Sequence, residues 1–149
     1  MSWDELRQEV SFGLENLESV FRNIERFSQT STDEPLRTSA LAYEGIGDYH
    51  AIEHLITRIL KHRRSEVPSG AFSHRDTLRS FQGVLEDLRI EREETMRTIE
   101  NLMAFRHVAT KIYGFMIDRE KLEVVVTDIR SRHSQIVELF QATVAALHQ

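Results

Sequence analysis

Apolar residues recur at steps of three and four along most of the chain, the spacing that places side chains on one face of an α-helix. The first stripe of this kind runs from Val10 to Phe27, with charged residues between its members. Further stripes follow over about residues 36–61, 73–88, 91–113 and 118–149. No segment competes as a β-strand. The pattern therefore predicts an all-α protein, an up-and-down bundle of about five helices.

The residues between the stripes are of the kinds that begin and end helices. Thr32 or Asp33 is expected to cap the second helix and Asp118 the last, because these side chains accept hydrogen bonds from free backbone N–H groups. Gly114 suits the position after the fourth helix, and residues 67–70 form a loop by composition. The predicted inner positions of the second helix are Leu41, Ile46, Tyr49, Ile52, Leu55, Ile56 and Ile59.

Composition narrows the class of protein. A length of 149 residues suits about one domain, so residues 1–149 are predicted to form a single one. The net charge of −5 excludes a generally basic protein that coats nucleic acid, although not a local basic site. With no cysteine, disulfides, iron–sulfur clusters and thiol nucleophiles are excluded. The chain shows neither a membrane span nor an apolar signal segment, and we expect a cytoplasmic protein without membrane contact.

One short motif allows a metal site. His50, Glu53 and His54 fit the spelling H-x-x-E-H, in which two histidines four residues apart share a helix face. A third ligand would have to come from another helix, for instance from residues 91–94. The alternative is a polar stripe that faces a cavity or solvent. We expect no metal, because a bundle this small has little room for a substrate cleft beside a buried helix.

Basic residues collect near the ends of two predicted helices. Residues 61–64 end the second helix, where cations suit the negative end of the helix dipole or could bind phosphate. Arg106, His107, Lys111 and Tyr113 crowd the end of the fourth helix. Residues 106 and 113 lie on nearly the same face, and residues 107 and 111 share another. Spacing alone leaves two interpretations of this segment, an interaction with the helix dipole and an anion-binding site.

The same segment is similar to a known family. Residues 105–118 resemble the signature helix of HEPN proteins, specifically the HepT-like group, whose motif is Arg, four to six residues, His, any residue and Tyr. The matching words are Phe105-Arg-His-Val108 and Tyr113-Gly-Phe115 with Asp118, and upstream Tyr49-His-Ala-Ile-Glu53, Pro68-Ser-Gly70 and His74-Arg75. The resemblance covers roughly residues 36–130, in order, on an all-α chain of fitting size.

The resemblance carries expectations about function. It implies an HEPN-like fold and a metal-independent endoribonuclease site between the subunits of a homodimer, with RNA as substrate and no cofactor. It also implies a toxin encoded with a minimal nucleotidyltransferase antitoxin, which resembles enzymes that attach AMP to the motif's Tyr, here Tyr113. The catalytic set implied in this way is Arg106, Lys111, Tyr113 and Glu53, and the candidate RNA contacts are His107, His74 and Arg75.

The chain departs from the motif where the chemistry is done. Lys111 holds the position of the motif His, and His107 follows Arg106 too closely to replace it. An imidazole titrates near about 6.5 and a Lys near about 10.4, so Lys111 is a good phosphate ligand and a poor base. Losing a general base costs typically 10² to 10⁴ in rate. If only the base is lost, Lys111→His should raise cleavage on the order of 10²-fold.

Three functions therefore stay open at the level of the sequence. The first is a HepT-like ribonuclease toxin, or a degenerate derivative that only binds RNA or nucleotides; a histidine elsewhere in the fold could restore the missing imidazole, and the candidates are His50, His54, His74 and His107. The second is a non-catalytic helical module for protein interaction. The third is a metal hydrolase built on the H-x-x-E-H motif. Whether the chain is an enzyme depends on whether one of these histidines compensates for Lys111.

Overall fold

Five α-helices make up the computed structural model, which describes residues 1–30, 34–63, 68–70, 72–111 and 117–148. The helices are α1 (Trp3–Gln29), α2 (Glu34–His62), α3 (Ser73–Asp87), α4 (Glu93–Ala109) and α5 (Arg119–Ala146). No strand occurs among the described residues. The predicted all-α class and the number of helices are confirmed.

Two helix starts follow directly from local sequence. The Ser2 hydroxyl accepts a hydrogen bond from the Glu5 N–H at 3.1 Å and caps α1. Asp118 caps α5 as predicted, since its carboxylate accepts from the backbone N–H groups of Glu120 and Lys121 at 2.9 and 3.3 Å. The other predicted end signals, Thr32, Asp33 and Gly114, lie outside the described residues.

Helix α4 ends earlier than the periodicity predicts. Its last residue is Ala109, where a helix to about residue 113 was expected. The Thr110 hydroxyl donates to the Arg106 carbonyl at 2.9 Å, and the Lys111 N–H donates to the Val108 carbonyl, three residues back, at 3.1 Å. The side-chain bond occupies a carbonyl of the last turn, and the three-residue bond tightens the chain out of the α-helical pattern.

Helix α2 occupies the centre of the bundle. It packs against each of the other four helices, while α1 and α4 also contact α5. The largest fully buried side chains include Tyr49, Phe81, Phe140, Leu6, Leu17, Ile24, Leu41, Ile52, Leu55, Ile56, Ile59 and Leu60. Because α2 is surrounded in this way, its side chains can reach both α3 and α4.

The buried face of α2 has a sharp border. Ile46, predicted to point inward, is only half-buried. At 100° per residue, Ile46, His50 and Glu53 fall within about 60° of one another, just beyond the arc that holds Leu41, Tyr49 and the other core positions. The border of this face is therefore where polar side chains of α2 meet the neighbouring helices. The described helices are all too polar or too short to span a lipid bilayer.

Candidate functional site

A close approach of α2 and α4 positions the candidate site. A Cβ atom placed on Gly45 would lie 3.1 Å from Cε1 of Phe105, which is tighter than most packing contacts. The absence of a side chain at residue 45 thus lets the Phe105 ring press against α2. Phe105 directly precedes Arg106, so this packing brings the last turn of α4 alongside the middle of α2.

Arg106 contacts a histidine that is distant in sequence. Its Nε donates a hydrogen bond to Nε2 of His50 at 3.1 Å. Since arginine only donates, His50 accepts on Nε2 and carries its own proton on Nδ1. Partial shielding of the ring from water lowers the pKa of His50, and the Arg106 charge lowers it further, while Glu53 opposes the shift. At neutral pH His50 is therefore a neutral imidazole beside a cation.

Glu53 joins two further groups at the same border of α2. Its Oε2 accepts a hydrogen bond from the Tyr49 hydroxyl at 2.8 Å and lies 2.5 Å from Nδ1 of His74, in the first turn of α3. Burial raises the pKa of Tyr49, and the Glu53 charge adds to this, so Tyr49 keeps its proton and donates it. A carboxylate only accepts, so His74 donates from Nδ1 and has Nε2 left for another partner.

The two imidazoles belong to one cluster. The Tyr49 ring centroid is 6.5 Å from that of His50 and 6.1 Å from that of His74. The charges of Arg106, Glu53 and His74 all act on the pKa of His50. We call these five residues the α2 border cluster: Tyr49, His50, Glu53, His74 and Arg106. It combines a cation, a carboxylate and two imidazoles, the groups that bind phosphate and transfer protons.

Lys111 forms a separate contact. Its Nζ lies 3.3 Å from Nε2 of His107. Both side chains are exposed; His107 lies in the last turn of α4, and Lys111 lies two residues after the helix ends. This is the pairing that their spacing of four residues predicts. Over residues 72–111 and the other described ranges, no acidic side chain lies within 4.0 Å of Arg106 or Lys111. Both cations are thus left without a carboxylate partner in this part of the molecule.

Arg75, a predicted RNA contact, stands apart from these contacts. The Arg75 guanidinium carbon lies 6.0 Å from the ring centroid of Phe72, an exposed side chain next to α3. Tyr113 lies outside the described residues, so its position in the site and the attachment of AMP to it stay predictions.

The H-x-x-E-H motif does not form a metal cluster in the part of the chain that is described. His54 accepts a hydrogen bond from Nε of Arg58 at 3.1 Å, and Arg58 also pairs with Glu9. Glu53 is engaged by Tyr49 and His74, and His50 by Arg106. Among the described residues, no group of three or more histidine or acidic side chains is placed to hold a metal ion.

Sequence reasoning left Tyr49 and the contact of His50 with Arg106 out of the predicted site. The two contact residues are 56 positions apart, and no spacing rule connects residues on different helices. The available signal was the word Tyr49-His-Ala-Ile-Glu53, which the resemblance already placed on a helix of the site. What it could not provide was the direction in which His50 points.

Comparison with known proteins gives one match. A family model described as HepT-like protein matches residues 41–147, well over half of the chain. The matched segment takes in most of α2 and all of α3, α4 and α5, and with them every residue of the α2 border cluster. No curated protein and no solved structure matches the chain.

Proposed function

The chain belongs to the HepT-like family, and we propose that it is a metal-independent endoribonuclease, the toxin of a toxin–antitoxin pair. In this proposal Arg106 binds the phosphate and His50 is the general base. The observation that supports it is the hydrogen bond between Arg106 Nε and His50 Nε2 at 3.1 Å. It brings an imidazole to the motif arginine of a chain whose motif histidine is Lys111.

Arg106 suits the phosphate of RNA. Its hydrogen bond to His50 uses Nε, so the two terminal guanidinium nitrogens can face a phosphate together, the bidentate geometry in which arginine binds anions most strongly. Among the described residues no carboxylate forms an ion pair with Arg106, so no such pair within this part of the chain has to break before the guanidinium binds RNA. A phosphate bound there lies next to the His50 ring.

His50 suits the role of base. A general base at neutral pH needs an unprotonated nitrogen close to the reacting group. The lowered pKa keeps the imidazole neutral. In the free protein its Nε2 lone pair accepts from Arg106, and it can take the proton of the RNA 2′-hydroxyl once binding of the phosphate draws Arg106 Nε away from that nitrogen. Lys111, charged at neutral pH, contributes binding of a neighbouring phosphate rather than proton transfer.

The toxin assignment brings a partner with it. The family resemblance implies a minimal nucleotidyltransferase as the antitoxin, and attachment of AMP to Tyr113 as its means of inactivation. Tyr113 follows Lys111 by two residues in sequence, so a negatively charged group attached to it would compete with RNA phosphate for the nearby cations. This explains in physical terms how modification of Tyr113 could switch the site off.

Three variants test the proposal. Purified protein is incubated with total RNA in EDTA, and the cleavage rates of wild type, Arg106→Ala, His50→Ala and His54→Ala are compared. Loss of a base costs typically 10² to 10⁴ in rate, so His50→Ala should lose that much, and Arg106→Ala should lose both cleavage and RNA binding. His54→Ala is the matched control, because it removes an imidazole that accepts from an arginine Nε at the same 3.1 Å. It should retain the wild-type rate.

A further variant in the same experiment, Lys111→His, can contradict the role of His50 as the base. If His50 is the base, this change should alter the rate by less than about tenfold, because the wild type already has its general base. A rise on the order of 10²-fold would instead show that the base is missing at residue 111, and would contradict the role of His50. Wild-type protein that neither cleaves nor binds RNA would favour the protein-interaction module.

A further inference from the structure

The second imidazole of the α2 border cluster comes from a different helix. His74 stands in the first turn of α3 and donates from Nδ1 to Glu53, while Nε2 has no use in the contacts described above. From this arrangement we infer that His74 is the general acid of the same reaction, the group that protonates the leaving oxygen. The inference rests on the proposed ribonuclease activity and adds a catalytic residue to it.

The hydrogen bond between His74 and Glu53 holds the His74 ring in one orientation. Its Nδ1 lies 2.5 Å from Glu53 Oε2, and the same oxygen accepts from the Tyr49 hydroxyl at 2.8 Å. The Tyr49 ring is fully buried, so it is a fixed support for the carboxylate. With Nδ1 committed, the atom that can exchange a proton with a substrate is Nε2. The side chain of His74 is 32% exposed, which leaves it open to a ligand.

The side chains next to the two imidazoles carry opposite charges. An arginine beside His50 disfavours a second positive charge, which suits a base that starts neutral. A carboxylate beside His74 is the partner of a protonated ring, which suits an acid that starts charged. The two imidazoles thus have neighbours of opposite charge, which suits one of them to accept a proton and the other to donate one.

The reaction balances without a metal or a cofactor. His50 Nε2 takes the proton of the 2′-hydroxyl, O2′ forms a bond to phosphorus, and the bond from phosphorus to O5′ breaks. Protonated His74 gives its Nε2 proton to O5′, so the products are a 2′,3′-cyclic phosphate and a 5′-hydroxyl. Arg106 binds the non-bridging oxygens, where charge develops in the transition state. Exchange with water then removes the proton from His50 and returns one to His74.

Two substrates separate the acid from the base. The first is a ribodinucleotide, whose leaving alkoxide needs a proton. The second is uridine 3′-(p-nitrophenyl phosphate), whose leaving phenolate departs without one. His74→Gln should lose on the order of 10² to 10⁴ in rate on the dinucleotide while it keeps nearly the wild-type rate on the aryl ester. His50→Ala should lose activity on both substrates, because both reactions need the 2′-hydroxyl to be deprotonated.

The control variant removes a histidine that is bound to a carboxylate in another part of the bundle. His133 Nε2 lies 2.6 Å from Glu18 Oε2 between α5 and α1, so His133→Gln deletes another carboxylate-bound imidazole outside the cluster. It should cleave both substrates at the wild-type rates. Thermal melting checks that each variant is folded. Should His74→Gln fail to fold, Glu53→Gln replaces it, and it should slow cleavage of the dinucleotide more than cleavage of the ester.

The outcomes separate this inference from the proposed function. If His74→Gln lowered the cleavage rates of both substrates equally, His74 would be a structural residue. That result would overturn its role as the acid and leave the ribonuclease proposal intact. Unchanged rates on both would overturn it as well. Wild-type protein that cleaves neither substrate would overturn the ribonuclease proposal itself and the inference with it.

Discussion

Asp48 lies in the middle of α2 with 1% of its surface exposed. Its Oδ1 has no hydrogen-bond partner among the described residues. Burial raises the pKa of this carboxyl from 3.8 to about 7, and the neighbouring charge of Glu44 acts in the same direction. An ionised carboxylate here would lose its hydration without gaining a partner, so the folded protein holds Asp48 in its neutral form through most of the acidic range.

This residue predicts an inverse dependence of stability on pH. Below pH 3.8 both the folded and the unfolded chain hold the proton of Asp48, so this residue does not make the free energy of unfolding depend on pH. As pH rises from there to about 7, only the unfolded chain releases it, so the free energy of unfolding falls. Each unit of pKa difference corresponds to about 1.4 kcal/mol, and the loss amounts to several kcal/mol at neutral pH.

Asp48→Asn keeps the shape and cannot ionise, so it should be more stable than wild type at pH 7. The gap should shrink as pH approaches 4. Denaturant unfolding of both proteins across this range measures it. A wild-type protein whose stability equals that of the variant at every pH would show that Asp48 finds a partner on ionisation.

At the scale of elements, the contact between α2 and α4 decides the geometry of the site. Two glycines of α2 differ sharply in their surroundings. A Cβ on Gly45 would meet the Phe105 ring at 3.1 Å, whereas a Cβ on Gly47 would meet only Cγ1 of Val20 at 4.0 Å. The first position is a point of close approach between helices, and the second is a half-buried position with room for a methyl group.

Gly45→Ala should therefore lower RNA cleavage, because it pushes Phe105, and with it Arg106, away from His50. The ring has to give way by a few tenths of an ångström. Since a displacement of about 1 Å in a catalytic group can cost on the order of 10² in rate, this smaller shift should cost up to about tenfold. Gly47→Ala is the control, since it should gain up to about 1 kcal/mol from helix propensity and keep its activity. Cleavage rates and melting temperatures of the two variants test this. Equal activity in both would mean that the Phe105 ring moves aside without displacing Arg106.

At the scale of the whole molecule, an apolar cleft opens beside the site. It lies between α4 and α5, has a volume of about 530 Å³, and is lined among others by Phe105, Val108 and Val124. Val108 and Val124 are 56% and 60% exposed, which is unusual for valine on a helix. The family resemblance implies a homodimer with the ribonuclease site between its subunits, and this surface adjoins Arg106.

We therefore expect a homodimer in which a second copy of the chain covers the cleft. Light scattering at micromolar concentration should give a mass near twice the 17.4 kDa of one chain. Val124→Glu should shift the mass toward that of one chain, because a charge would then be buried in an apolar interface. Phe12→Glu alters another exposed side chain, on α1, and should leave the dimer intact. A wild-type mass of 17.4 kDa would contradict the expectation.

The sequence by itself determined the five helices and most of their buried faces. The direction of a side chain on a helix follows from its position in the chain, so the apolar period predicts which residues face the core. The Asp118 cap was equally predictable, because a cap joins neighbours in sequence. The family could be recognised from the sequence as well, because its motif consists of short runs of residues in a fixed order.

Tertiary structure alone decided how the polar residues combine. The period of α2 placed Ile46 in the core, but the border of the buried face depends on where α3 and α4 lie. The contacts of Arg106 with His50 and of His74 with Glu53 join residues on different helices. Whether such side chains meet depends on the distance between helix axes, which at Arg106 follows from the close packing of Phe105 on Gly45. A local pattern contains no measure of that distance, so the partner of Arg106 became visible only in the fold.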